Sequence, residues 1–556
     1  MKESRISRDR WQQVGVGIFC GLLLVPSVIW LWRDVHVWDW DPSEYGYFAI
    51  DLWRTLWTEP RLWPWMFFHS VGPKAPDLIW ISKFLLPLRH VLGSAENVFH
   101  LINLAIQWGS LYLLWRCVRR ATGENWVAFA ACLWMAGMPL FVGMSQDFLT
   151  EPLQMFAVMF IWFIAVSGDG WSASKLAAFL LIGGGLVLGS KASTPAYCVV
   201  PGAYALHLLW RSVRGRHWAM NIWNGLGMAA GLLHLGVLGI WYVLNRDGVM
   251  GKFVGASSGG EGCVANEFGY KDTFFNKMVY WAAWLKRSVT LDALAFLLVL
   301  AAAALAVAWI LAIRRGGVKM SRAPVRLAVL AGAQFAIVGI MLSANIATLI
   351  RYVYAAIPSL VLCLASLAGV VGGAMTRRGV IACVGIWWVG GQMLLTGTVP
   401  SAETAQARHW AAPERDSARI RQVRRLIALL NVPRYDGVYH LCGADFPWLS
   451  GSTLNFYAAL DSLDSGRRTQ FGRLGSPPTD LERAWERVHG ELGYYVAASD
   501  PDMEGRSDGP GRIMAEVLGR VRRDARFVPE VHADLPDLLL FRNVSSESGR
   551  GGEGRP

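Results

Sequence analysis

A chain of 556 residues with 54% hydrophobic and only 17% charged side chains lies well below the roughly one-quarter charge of soluble proteins, which excludes a water-soluble globular enzyme. Its net charge of +12 sits largely in short loops between apolar runs, where it sets membrane orientation, and gives no warrant for a nucleic-acid partner. The 28 tryptophans suit belts at headgroup depth.

The N-terminus, Met1-Lys2-Glu3-Ser4-Arg5, precedes an apolar run from about Val14 to Trp32 with no small-residue cleavage site after it. It reads as a retained first helix rather than a signal peptide. Further runs of spanning length recur near 97–115, 125–144, 149–167, 175–190, 192–210, 221–244, 291–313, 326–343, 352–373 and 379–398, which makes about eleven transmembrane helices. Basic clusters follow the second run (Arg116, Arg119, Arg120), the sixth (Arg211, Arg214, Arg216), the eighth (Arg314, Arg315, Lys319, Arg322, Arg326) and the tenth (Arg377, Arg378). With the N-terminus inside, every cluster falls on the cytoplasmic side of a multi-pass inner (plasma) membrane protein. Residues 33–96, 145–150, the stretch around Lys191, 245–290, 344–351 and everything after about 400 then face out. Within the first outer loop, Tyr47 to Leu56 has helical spacing and is expected to lie along the interface.

After residue 400 the composition becomes that of a soluble domain. Helices are expected at Arg415–Leu430, Leu454–Leu463 and Arg512–Val521, and strands at Gly437–Cys442, Tyr494–Ala498 and Leu538–Arg542. The fold class is therefore mainly α: a polytopic helical membrane domain over 1–400, N-in and C-out, then a small extracytoplasmic α/β domain over 401–545. A Ser-, Gly- and Glu-rich tail over 546–556 reads as disordered. Six of the eight cysteines fall in or beside apolar runs as small core residues. Cys263 and Cys442 fall in outer segments, where a bridge between them is conceivable. No CxxC supports a structural zinc site. Gly251-Lys252, beside the Gly- and Ser-rich stretch 255–262, lacks the spacing of a phosphate-binding P-loop.

Chemistry concentrates in the outer loops. Trp38-Asp39-Trp40-Asp41-Pro42-Ser43-Glu44-Tyr45 places three carboxylates within six positions, and Gln146-Asp147-Phe148-Leu149-Thr150-Glu151-Pro152 adds two more. These acids either cap the helices they precede or converge on one cavity. There they would take a proton from an acceptor hydroxyl, or hold a divalent cation at Asp41, Glu44 and Asp147. Lys74, in the proline-stiffened Gly72-Pro73-Lys74-Ala75-Pro76-Asp77, joins Lys191 and Arg351 as outer-side cations. They either snorkel or receive a phosphate. His69 and His90 read as interfacial or packed histidines.

This arrangement resembles the integral-membrane C-type glycosyltransferases, in particular the bacterial aminoarabinose transferases and protein O-mannosyltransferase-like enzymes. Ser43-Glu44-Tyr45 stands where that family carries an Asp-Glu pair followed by Tyr, with Asp41 three residues upstream of Glu44. Lys74-Ala75-Pro76-Asp77-Leu78-Ile79-Trp80 matches the family's Lys-Pro-Pro-Leu with a nearby Trp, without the second Pro directly after the lysine. Lys191-Ala192 looks like a Lys-Gly after the fifth span, and Arg351-Tyr352 with Pro358 looks like an Arg-Tyr opening a late helix. The likeness covers about residues 14–400. It implies sugar transfer from a polyprenyl-phosphate donor to a glycan, lipid or protein acceptor on the outer face, among membrane lipid. Asp41 or Glu44 would act as base beside Asp39, Asp147 and Glu151, and Lys74, Arg351, Lys191 and Tyr352 would hold the donor phosphate. A transporter or flippase for a lipid-linked saccharide would use the same cations without a base. A non-catalytic scaffold would use only the outer domain, to bind a partner.

Overall fold

The computed structural model describes residues 2–33, 36–69, 74–215, 217–251, 273–290, 295–314, 322–344, 350–369, 374–395, 417–433, 438–446, 448–467, 469–474, 480–489, 492–499 and 509–545. The longer helices up to residue 395 are α1 (Lys2–Arg33), α2 (Trp40–Thr58), α3 (Trp63–His69), α4 (Asp77–Leu85), α5 (Ala95–Thr122), α6 (Asn125–Ala136), α7 (Pro139–Gln146) and α8 (Glu151–Ser167). They continue with α9 (Ala173–Ser190), α10 (Val199–Arg214), α11 (Ile222–Leu244), α12 (Phe274–Val289), α13 (Ala295–Arg314), α14 (Arg322–Ala344), α15 (Ile357–Ala368) and α16 (Ala374–Leu395).

Each of the eleven apolar runs carries helix, but not each is one long rod. Among the described residues seven helices are long and apolar enough to cross a membrane, or eight if the bent pair α6–α7 is a single span. Prolines account for much of the difference. Pro139 lacks an amide donor and disfavours helix at Met138. The chain leaves α6 there and re-enters at α7 with a 61° bend. Gly137 at that corner lets Trp387 of α16 pack close, since a Cβ would meet its ring nitrogen at 2.8 Å. Gln392 Nε2 donates to the freed Ala136 carbonyl at 2.7 Å. Pro195 likewise turns the run at 192–210 into a 3-10 turn, Thr194–Cys198, followed by α10.

At the centre stands α5. It starts on Ser94, whose side chain accepts from the Asn97 amide at 3.1 Å, and stops at Gly123 with φ 75. It packs against α6 and α8, while α9 packs against α11. Polar residues inside α5 hold the loop mouths. Asn103 Nδ2 donates to the carbonyls of Met144, at 3.0 Å, and Asp147, and Gln107 Nε2 donates to the Phe141 carbonyl at 3.0 Å.

The C-terminal unit contains α17 (Ser417–Leu430), β1 (Tyr439–Cys442), α18 (Gly451–Ser465), β2 (Gln470–Arg473), α19 (Leu481–Val488), β3 (Leu492–Ala498), α20 (Gly509–Arg523), β4 (Phe527–Glu530) and β5 (Leu538–Asn543). The five strands form one sheet in the order β2-β1-β3-β5-β4. β1 pairs in parallel with β2 and β3, and β5 is antiparallel to β3 and β4. The three expected strands and three expected helices are present. β2, β4 and α19 escape sequence reading because four- and eight-residue elements carry little periodicity. Cys442 is a free, buried thiol in β1. Cys263, the stretch 255–262 and the tail 546–556 lie outside the described residues.

The helix expected at Tyr47–Leu56 is α2, which starts seven residues earlier and packs against the C-terminal unit. α18 lies across it. Gly46 admits the Phe456 ring so closely that a Cβ would sit 2.5 Å from it. Trp38 stacks on Phe456 with centroids 4.7 Å apart and planes at 4°.

Candidate active site

The first turn of α2 carries the acids. Asp39 occupies the N-cap position with φ -81 and ψ -170, yet its side chain caps nothing. Ser43 Oγ instead donates back to the Trp38 carbonyl at 2.7 Å. Asp41 and Glu44 are thereby free of the capping role and point at cations. The same holds at α8, where Thr150 is the N-cap without a side-chain capping bond and Glu151 turns inward, 2% exposed.

The predicted residues form a continuous chain of alternating charge. Lys74 Nζ lies 2.8 Å from Asp41 Oδ1 and 2.5 Å from Glu44 Oε2. The other Asp41 oxygen is 2.6 Å from Arg351 Nη2. Arg351 Nε lies 3.3 Å from Glu151 Oε1, which also takes Lys191 Nζ at 2.6 Å. Residues from α2, the mouth of α4, the mouth of α8, the end of α9 and the turn before α15 thus meet at one place. Rings floor the cations: Lys74 sits 4.5 Å over Tyr45, and Lys191 sits 4.9 Å over Tyr352. Tyr352 therefore supports a cation. Its backbone carbonyl accepts from Tyr197 Oη at 2.7 Å.

Beside this chain opens a small cleft of ≈ 20 Å³ lined by Asp39, Trp40, Asp41, Pro42, Asp147, Leu149 and Arg351. The two acidic loops converge there, and of the two candidate bases Asp41 lines the cleft while Glu44 stands behind Lys74. His69 and His90 are elsewhere: His69 stacks on Trp65 at 4.5 Å and bonds its carbonyl, and His90 is exposed.

Protonation differs sharply along the site. Burial, then the charges of Asp147 and Asp41, push Asp39 up to about 8. Asp39 therefore holds its proton more tightly than Asp41 or Glu44. Burial pushes Asp41 the same way, but Lys74 and Arg351 overcome it and hold Asp41 well below the usual carboxylate range. Glu44 is lowered too, burial being outweighed by Lys74 and by Arg473 of β2. Lys74 is raised, its own burial outweighed by Asp41 and Glu44.

Of the acids expected to hold a divalent cation, Asp41 commits both oxygens and Glu44 one to Lys74 and Arg351. Among the described residues no three His, Cys, Asp or Glu side chains are grouped to hold an ion.

Sequence reading missed Trp40, Thr150, Arg473 and Asp445. Trp40 walls the cleft and donates from Nε1 to Asp445 Oδ1 at 2.6 Å. Thr150 Oγ1 stands 3.5 Å from Tyr45 Oη. Trp40 and Thr150 lay inside the quoted motifs. Arg473 and Asp445 lie about 400 residues downstream of α2, with nothing local to mark them.

No family model and no curated protein matches the chain. Solved structures do. ArnT from Cupriavidus metallidurans bound to undecaprenyl phosphate superposes with a TM-score of 0.57 at 12% identity, covering 95% of this chain and 98% of that one. ArnT from the same organism in the apo state gives 0.53 at 12% identity, covering 97% and 99%. The chain resembles ArnT, an aminoarabinose transferase, in fold along nearly its whole length, C-terminal sheet included.

Proposed function

We propose that this chain, built on the fold of ArnT, is a membrane glycosyltransferase that moves a sugar from a polyprenyl-phosphate donor to a hydroxyl at the outer face of the bilayer. The observation that carries the reading is Asp41, held between Lys74 and Arg351 at the wall of the cleft. ArnT in its lipid-bound structure holds undecaprenyl phosphate, which supports a lipid phosphate as the partner of these cations.

The geometry suggests how the parts would act. Lys74 and Arg351 present positive charge where a leaving phosphate would accumulate negative charge. With both cations on it, Asp41 is a weak base. A donor phosphate seated on the same cations takes over part of their charge and lets Asp41 regain basicity. The acceptor hydroxyl then gives its proton to Asp41 as its oxygen attacks the anomeric carbon, and the carbon–oxygen bond to phosphate breaks with its electron pair passing to the phosphate. Protonated Asp39 stands beside Asp41 as a hydrogen-bond donor rather than a second repelling charge. The charged groups that line the site lie at helix mouths rather than in mid-helix, which favours this reading over a flippase.

The test is the full chain in lipid nanodiscs, offered a panel of polyprenyl-phosphate sugars and glycan, lipid and peptide acceptors. Asp41→Asn is expected to lower kcat by about 10²–10⁴-fold while undecaprenyl phosphate still binds. Undiminished turnover by Asp41→Asn, or lipid-saccharide transport without donor cleavage, would sink the proposal.

A further inference from the structure

The strand order of the C-terminal sheet has a chemical meaning. The chain leaves β1, forms α18 and places β2 on one side, then crosses through α19 to place β3 on the other, so the parallel part reads β2-β1-β3. In open parallel sheets, a crevice forms outside the carboxyl ends of the strands where the order reverses, and ligands bind there. Here the order reverses between β1 and β3, so the carboxyl end of β1, Cys442-Gly443-Ala444-Asp445, lines that point, and Arg473 at the carboxyl end of β2 flanks it on the other side of β1. The carboxyl ends of β1 and β2 meet the first turn of α2, the same turn that bears Asp41 and Glu44.

Two contacts make the meeting specific. Asp445 accepts the Trp40 indole N–H at 2.6 Å and so fixes the ring that walls the cleft. Arg473 Nη2 stands 3.9 Å from Glu44 Oε1 and is anchored by Ser452 Oγ at the start of α18. Gly451 is the close-approach point, where a Cβ would meet the Arg473 side chain at 2.5 Å. Glu44 is thus shared: one oxygen faces Lys74 and the other faces Arg473.

We propose that the C-terminal unit completes the active site, with Arg473 as a positioning residue that holds part of the Glu44 charge and so leaves Lys74 available to Asp41 and to a lipid phosphate. The inference rests on the glycosyltransferase reading for its phosphate. Its reasoning is electrostatic. Lys74 divides between Glu44 at 2.5 Å and Asp41 at 2.8 Å. Removing the second cation leaves Glu44 to draw Lys74 alone, away from the cleft. The charged groups facing Glu44 are Lys74 from the loop before α4, Arg473 from β2 and Asp41 from its own helix.

The test uses the full chain in nanodiscs with undecaprenyl phosphate as probe, titrated against pH for the unaltered chain, Arg473→Gln and Arg473→Lys. Protonating Glu44 frees Lys74, so lipid-phosphate affinity strengthens as pH falls through the Glu44 titration. Without Arg473 that titration moves up the pH scale, and the affinity gain begins at higher pH. Arg473→Gln is expected to show this upward shift and, at pH 7, to weaken lipid phosphate binding by about two- to fivefold, as for a half-exposed ion pair. Arg473→Lys, which keeps the charge, restores the original pH profile. A merely structural role would lower the folded fraction without moving the profile. An unshifted profile in a folded Arg473→Gln chain overturns the inference, as does a shift that Arg473→Lys fails to reverse. Should the unaltered chain bind the lipid yet turn over no donor, the enzyme reading fails alone and the same titration still decides the role of Arg473.

Discussion

Asp39 holds its proton more tightly than Asp41 and Glu44 do, and this gives the site an alkaline limit. Above about 8 it ionises, placing a further negative charge against Asp41 and Asp147 at the mouth of the site proposed to receive a phosphate. Activity is expected to fall as pH rises through that value. Asp39→Asn, permanently uncharged, should keep its rate to higher pH, as rate profiles of the two chains will reveal. The stability sign follows. An unfolded chain releases this proton near 3.8 and the folded chain near 8, so the folded state binds more protons between those values and stability falls with rising pH across that window. Asp39→Asn removes that slope. Gly189 is a second residue-scale constraint. A Cβ there would lie 2.2 Å from the Asp77 carboxylate, which His234 of α11 holds at 3.0 Å. Gly189→Ala is expected to cost about 1–3 kcal/mol by overpacking. Thermal melting of Gly189→Ala with and without Asp77→Ala tests this, since removing the carboxylate should recover much of the loss.

Among the elements, α2 does most to place the site. Its sequence alternates acids with aromatics, so one turn sends carboxylates toward Lys74 and the same helix buries Tyr45, Ala49, Ile50 and Leu52. Its other face is claimed by α18 through Gly46 and Phe456. Gly46→Ala would drive a methyl into the Phe456 ring, which α18 and Trp38 hold in place. It is expected to loosen the C-terminal unit and raise amide hydrogen exchange along α18, with α5 unaffected. Unchanged protection in α18 would count against α2 as the docking element. The α6–α7 corner works similarly at the other acidic loop. The bend at Gly137–Pro139 brings Asp147 to the cleft, and Asn103 of α5 pins its carbonyl.

Over the whole molecule, the site is a meeting of segments hundreds of residues apart: Asp41 with Arg351, and Trp40 with Asp445. Much was legible beforehand. Low charge and long apolar runs dictate a helical membrane protein because the bilayer leaves backbone groups no partner outside the helix. The acids and cations at helix mouths were legible because charge near hydrocarbon is costly and therefore sparse. So Asp41, Glu44, Glu151, Lys74, Lys191 and Arg351 could be named from sequence, and the fold gathers all six. The number of full-length spans was less legible, since apolarity does not tell a straight helix from one bent at proline. The split of labour between Asp41 and Glu44, the proton on Asp39, and the reach of Arg473 were not legible at all. Local sequence carries composition, periodicity and breaks, which is enough to say that this chain folds in a membrane with opposite charges at its helix mouths. Which charge faces which depends on distances set by packing, and electrostatic energy varies steeply with distance and burial, so only the tertiary structure decided how those charges are shared.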